Sequence, residues 1–178
     1  SIEALLASVK ASHSALGGPG RWILALASHH IAGAQVLMRA AATEISPQIV
    51  DCPHGFNPQD LLPAIAGATY DTELPGYLSL VPTQLATCLD AGGEVLAAMA
   101  KLHIILIGGS RLDPTLRTRA EEAGLHIVES FGMTETCGGC VYDGVPLPGV
   151  LVRTLEWDGA TRIAIAGPVL LTRYLAKD

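Results

Sequence analysis

The chain has 178 residues, 49% hydrophobic and 16% charged, with a formal net charge of -6, a composition that suits one sizeable core, or one domain and part of a second, and reads as globular rather than disordered. The acidic balance and the lack of a Lys/Arg cluster argue against nucleic acid and anionic membrane surfaces as partners. Four scattered cysteines, Cys52, Cys88, Cys137 and Cys140, do not make a disulfide scaffold and point to a reducing cytoplasm.

No apolar run approaches the length of a membrane span, and no basic-then-apolar leader follows Ser1. A start at Ser rather than Met is the pattern expected of processing or of a fragment.

Taken in chain order, Ser1 can cap a helix whose apolar positions Ile2, Leu5, Leu6, Val9 and Leu16 fall near one face and which ends at Gly17-Gly18-Pro19. Trp22 to Ala27 reads as a buried strand, and Ile31 to Ala42 as an apolar helix with a tightly packed Gly33. Glu44 to Val50 is a weaker strand, with Pro47 marking an edge or an irregular stretch. Asn57-Pro58 opens a helix to about Ala66.

Tyr77 to Val81 is the next strand, and Pro82-Thr83 opens a helix reaching Asp90 before Gly92-Gly93. His103 to Ile107 is a strand, Asp113-Pro114 opens a helix closed by Gly124, and Leu125 to Ser130 is a strand again. After Pro146-Leu147-Pro148-Gly149 the pattern changes. Val150 to Glu156 and Thr161 to Ala166 read as a β-hairpin around a turn containing Asp158-Gly159.

The alternation predicts an α/β fold, with a largely parallel sheet flanked by helices over residues 1–148 and the start of a small antiparallel β subdomain over residues 149–178. Right-handed crossovers would collect Ser28-His29-His30, Pro82-Thr83, Gly108-Gly109-Ser110 and Gly132-Met133-Thr134-Glu135 along one sheet edge, where open α/β sheets bind ligands.

Gly108-Gly109-Ser110 lets backbone approach a planar or anionic ligand, although an ordinary strand-to-helix turn has the same composition. Thr134 can donate to a phosphate oxygen. Glu135 would repel that phosphate unless a cation stands between them, so the pair suits ATP with Mg²⁺, and as a bare dipeptide it suits a solvated loop. Phe131 reads equally as a core aromatic. His29-His30 lies on an extended segment whose adjacent side chains should point apart, which disfavours a shared metal, and His30 alone fits a structural histidine as well. Cys137-Gly138-Gly139-Cys140 has the spacing of a redox pair or half a zinc site, but Val141-Tyr142 looks extended where a redox pair begins a helix.

The run Phe131-Gly132-Met133-Thr134-Glu135-Thr136 resembles the Y/F-G-x-T-E signature of the adenylate-forming enzymes, which include the acyl-CoA synthetases. The longer stretch from Phe131 to Gly144, together with Tyr77 to Leu85 and Leu147 to Gly149, is most similar to the o-succinylbenzoate-CoA ligases of menaquinone biosynthesis within that family.

The resemblance implies an ATP-dependent acid-thiol ligase that takes a small carboxylic acid, ATP, Mg²⁺ and coenzyme A, with self-association allowed. It places Gly108, Gly109, Ser110, Phe131, Gly132, Met133 and Thr134 around the nucleotide, with His30, Thr134 and Glu135 as catalytic residues and Glu135 on the metal. His30 is assigned through Leu26 to Gly33, which resembles an F-H-x-x-G motif, and Cys137 to Cys140 through the acyl-pocket wall. Ala166 to Tyr174 resembles the region where the family's small β-barrel begins.

The family's Lys-bearing phosphate loop and its later T-G-D motif have no counterpart in the chain, so a central fragment, inactive by itself, is expected. A non-catalytic α/β binding module of ligase ancestry and a thiol oxidoreductase are the competing readings.

Overall fold

Residues 1–52, 55–70 and 73–174 are described by the computed structural model of the chain. Residues 175–178, the end of the expected second subdomain, lie outside them. Helix α1 (Ile2–Ala15) begins at Ser1, whose hydroxyl accepts from the Ala4 N–H at 3.4 Å. Its buried face is Ala4, Ser8, Val9, Ala11 and Ser12, while Ile2 and Leu6 stay exposed. Of the apolar positions expected from sequence, Val9 and Leu16 are buried and Leu5 is half-buried, while Ala4, Ser8, Ala11 and Ser12 make up the rest of the packed face. Small side chains let α1 sit close against α2 (Ile31–Ala41).

The main sheet has the order β2-β1-β3-β4-β5-β6-β7. Strands β1 (Arg21–Leu24), β2 (Gln48–Ile49), β3 (Gly76–Leu80), β4 (Ile104–Gly108) and β5 (Ile127–Met133) pair in parallel. Strands β6 (Gly138–Tyr142) and β7 (Val145–Pro146) run antiparallel. The edge strand β2 is short, as Pro47 suggested. Strand β1 stops at Leu24 rather than Ala27, because the Ala25 carbonyl accepts from Gln84 Nε2 at 2.9 Å and the Ala27 carbonyl from the His30 N–H at 3.1 Å. Strand β5 runs three residues past the expected end at Ser130, since β6 pairs with it from Ser130↔Tyr142 to Met133↔Gly138.

Side-chain alternation along the strands divides the core between two faces. Ile23, Leu78, Ile105 and Ile107 face α3 (Leu61–Thr69), α4 (Pro82–Ala91), α5 (Gly93–Met99) and α6 (Pro114–Glu122). Trp22, Leu24, Tyr77 and Leu106 face α1 and α2. Helix α5 was not anticipated. It starts at Gly93 after Gly92, both at positive φ, and buries only Val95 and Met99, too little periodicity to stand out in sequence.

Strands β8 (Leu151–Trp157) and β9 (Ala160–Ala166) form a separate two-stranded sheet. Asp158 and Gly159 both have positive φ, the conformation a two-residue type I′ turn requires. No helix among the described residues is long and apolar enough to cross a membrane.

Candidate active site

The C-terminal ends of β3, β4 and β5 meet where Gly108 pairs with Ser130. A cavity of about 110 Å³ opens there, with Gly108, Gly109 and Gly132 in its wall. A Cβ on Gly132 would collide with the Gly138 carbonyl, so that close approach needs glycine, and one on Gly108 would sit tightly, at 3.0 Å from the Ser130 carbonyl. Ser110, Phe131, Met133 and Thr134 are exposed and lie outside the cavity lining. With 43% exposure, Phe131 is not a core aromatic.

Thr134 to Thr136 form one 3-10 turn between β5 and β6, ending at Cys137 in the left-handed region. Thr136 holds it. Its buried hydroxyl accepts from the Met133 N–H at 2.9 Å and donates to the Gly138 carbonyl at 2.7 Å. This geometry leaves Thr134 exposed and Glu135 half-buried. Tyr174 donates its hydroxyl to Glu135 Oε1, and the Leu171 N–H donates to the Glu135 carbonyl at 2.9 Å. The Tyr174 hydrogen bond, with backbone donation behind it, holds the Glu135 carboxyl below the usual carboxylate range. A carboxylate held ionised is an oxygen ligand of the kind a hard divalent cation accepts.

His30 is the exposed residue that starts α2, with extended backbone and no side-chain cap. The expectation that its ring points away from His29 does not hold. The segment turns rather than extends, and the two ring centroids lie 4.3 Å apart. No group of three His, Cys, Asp or Glu side chains among the described residues could hold a metal ion. His30 is not in the cavity wall, although Ile31 is. Gly33 in the first turn of α2 would collide with the Ala27 carbonyl if it carried a Cβ, so glycine allows the chain to turn back here.

Sequence reasoning missed two residues of the cavity wall, Gln35 and Arg39. Both sit on the buried side of α2, at 0% and 3% exposure. The Gln35 amide donates to the Cys137 carbonyl at 2.6 Å and ties α2 to the Thr134–Thr136 turn. Arg39 has no carboxylate partner among the described residues. Its Nη2 donates to Ser12 Oγ at 3.2 Å and to the Tyr142 hydroxyl at 3.3 Å, and its guanidinium lies 4.7 Å from the Trp22 ring centre. Arg39 Nε and Gln35 Oε1 are buried without a hydrogen-bond partner among the described residues. An Arg and a Gln four apart on an otherwise apolar helix face was the available signal.

Cys137 and Cys140 are both buried, and burial pushes both thiols up from their usual value. A strand rather than a helix follows Cys137. Neither feature suits a reactive thiolate pair.

The family model for AMP-binding enzymes matches residues 1–174. A probable 2-succinylbenzoate–CoA ligase of Mycobacterium tuberculosis is 42% identical over 171 residues, covering 96% of this chain and 43% of that protein. A 2-succinylbenzoate–CoA ligase of Lactococcus lactis is 29% identical over 185 residues, covering 95% of this chain and 38% of that protein. The chain thus spans less than half the length of these relatives. The o-succinylbenzoate coenzyme A synthetase of Bacillus subtilis in complex with ATP and magnesium ion superposes with a TM-score of 0.79 at 25% identity, over 98% of this chain and 39% of that one. With the seven-stranded sheet, the glycine turns and the Thr-Glu turn in place, this match settles the family: the chain belongs to the AMP-binding enzymes.

Proposed function

We propose that this chain forms the central part of an ATP-dependent acyl-CoA ligase that activates 2-succinylbenzoate and transfers the acyl group to coenzyme A in the cytoplasm. The observation that carries this reading is the glycine-walled cavity between adjacent parallel strand ends, with an ionised Glu135 on the turn that follows and an unpaired cation, Arg39, in its wall. Similarity to ligases named for that acid supports the substrate class.

In the first half-reaction an oxygen of the substrate carboxylate attacks the α-phosphorus of ATP, and the bond to pyrophosphate breaks. In the second, the coenzyme A thiol, losing its proton, attacks the acyl carbonyl and AMP leaves with the bond electrons. Gly108, Gly109 and Ser110 give the adenine an edge of backbone free of side chains, and the exposed ring of Phe131 offers it a flat apolar face. Gly132 and Met133 carry the chain past the phosphates, and the Thr134 hydroxyl donates to a phosphate oxygen. Glu135 would hold Mg²⁺, which when bound offsets phosphate charge. His30, at the mouth of α2, orients the acyl carboxylate.

2-Succinylbenzoate carries two carboxylates, only one of which reacts. The buried Arg39 guanidinium in the cavity wall fits the other, because Arg remains charged when desolvated and matches a carboxylate with paired N–H donors. Residues 149–178 are read as the start of a β subdomain.

The test is pyrophosphate exchange by the full-length protein with 2-succinylbenzoate. Exchange that requires the acid supports the reading. Its absence, in a folded protein that binds neither ATP nor the acid, removes the ligase in favour of a binding module.

A further inference from the structure

A buried cation without a counter-charge is costly unless the surrounding structure compensates for its lost hydration. Around Arg39 the compensation is partial and comes from three other elements. Ser12 stands on α1, Trp22 on β1 and Tyr142 on β6. Ser12 Oγ and the Tyr142 hydroxyl are themselves hydrogen-bonded at 2.8 Å, and both contact the same guanidinium nitrogen, Nη2. Trp22 contributes its ring face. Both hydrogen bonds that Arg39 donates among the described residues are at Nη2, and its buried Nε has no acceptor among them. His13 cannot take a second positive charge cheaply here, since burial and then the Arg39 charge push it below the usual imidazole value.

We infer that Ser12 and Tyr142 are positioning residues that clamp one nitrogen of Arg39 and thereby aim the free side of its guanidinium at a second carboxylate on the acyl substrate. The inference rests on the ligase reading and adds a determinant of substrate choice to it. Held at one nitrogen from behind and stacked on Trp22, the group loses little further freedom when a carboxylate arrives. A hydroxyl pair also suits the role better than an acid would. An Asp or Glu at either position would neutralise Arg39 and remove its pull on a substrate carboxylate.

The experiment compares 2-succinylbenzoate with its two mono-acid analogues, one lacking the ring carboxylate and one lacking the succinyl carboxylate, in full-length wild type, Tyr142→Phe and Ser12→Ala. The mono-acid that wild type still activates is the reference. Each variant should lower kcat/KM for the diacid about tenfold more than for that mono-acid, mainly through KM, with the KM for ATP little moved. A purely structural role would lower both acids equally, and that outcome overturns the inference, as does an unchanged ratio in both variants. If Tyr142→Phe does not fold, Ser12→Ala decides by the same ratio. Wild type that activates no acid at all would count against the ligase reading instead.

Discussion

Thr136 is a hydroxyl on which a whole turn depends. It satisfies the Met133 N–H and the Gly138 carbonyl from a site with 1% exposure. Thr136→Val keeps the shape and leaves both groups unpaired, so it should destabilise the protein by about 1–3 kcal/mol, measured by urea unfolding. Gly132→Ala should cost a similar amount, about 1–3 kcal/mol, because its Cβ meets backbone rather than a movable side chain. Glu135→Gln, which preserves size, should leave stability nearly intact while weakening the magnesium dependence of pyrophosphate exchange in the full-length protein. An unchanged magnesium response would detach Glu135 from the metal. These motif residues were legible because a glycine, a hydroxyl and a carboxylate at fixed offsets after a strand carry meaning without neighbours. Arg39 and Gln35 were not, since their role follows from burial, and a helix stripe reads as apolar until its packing is known.

The elements differ in how far local chemistry determines them. Pro82 after β3, Asp113-Pro114 before α6 and Asp158-Gly159 in the hairpin act within a few residues, and each produced the element expected of it. The C-terminal extension of β5 depends instead on β6 returning beside it, and the buried face of α1 on what packs against it. Cys137 and Cys140 belong to β6 and its entry. Native alkylation near pH 8 should therefore label half-buried Cys52 first and leave Cys88, whose thiol is pushed up to about 12, and both β6-side thiols unmodified. Rapid labelling of Cys137 or Cys140 would reopen thiol chemistry.

For the molecule as a whole, His13 ties stability to pH. Its folded pKa lies below the ordinary value of 6.5. As pH falls through that value the unfolded chain takes up a proton first. Stability is thus full above it and declines below it until the folded histidine also protonates. His13→Gln should flatten this decline, read from urea midpoints between about pH 7.5 and about pH 5.5. The hairpin presents Leu151 at 73%, Trp157 at 71% and Ile163 at 61% exposure, so the 178-residue chain should self-associate in sedimentation experiments as concentration rises. A monodisperse monomer at high concentration would contradict this. The same chain spans 43% of its Mycobacterium tuberculosis relative and should form no acyl-CoA by itself, as a thioester assay would record.

By itself the sequence determined the alternation of helix and strand, the parallel sheet, the glycine turns and the Thr-Glu turn, because periodicity, capping and φ preferences act over a few residues. Tertiary structure alone decided the cavity and its charge. Arg39 reaches Ser12 and Tyr142 across 27 and 103 residues of chain, and no local pattern encodes a contact at that separation. Whether a cation is buried, and what is left free to bind it, depends on which surfaces close over it.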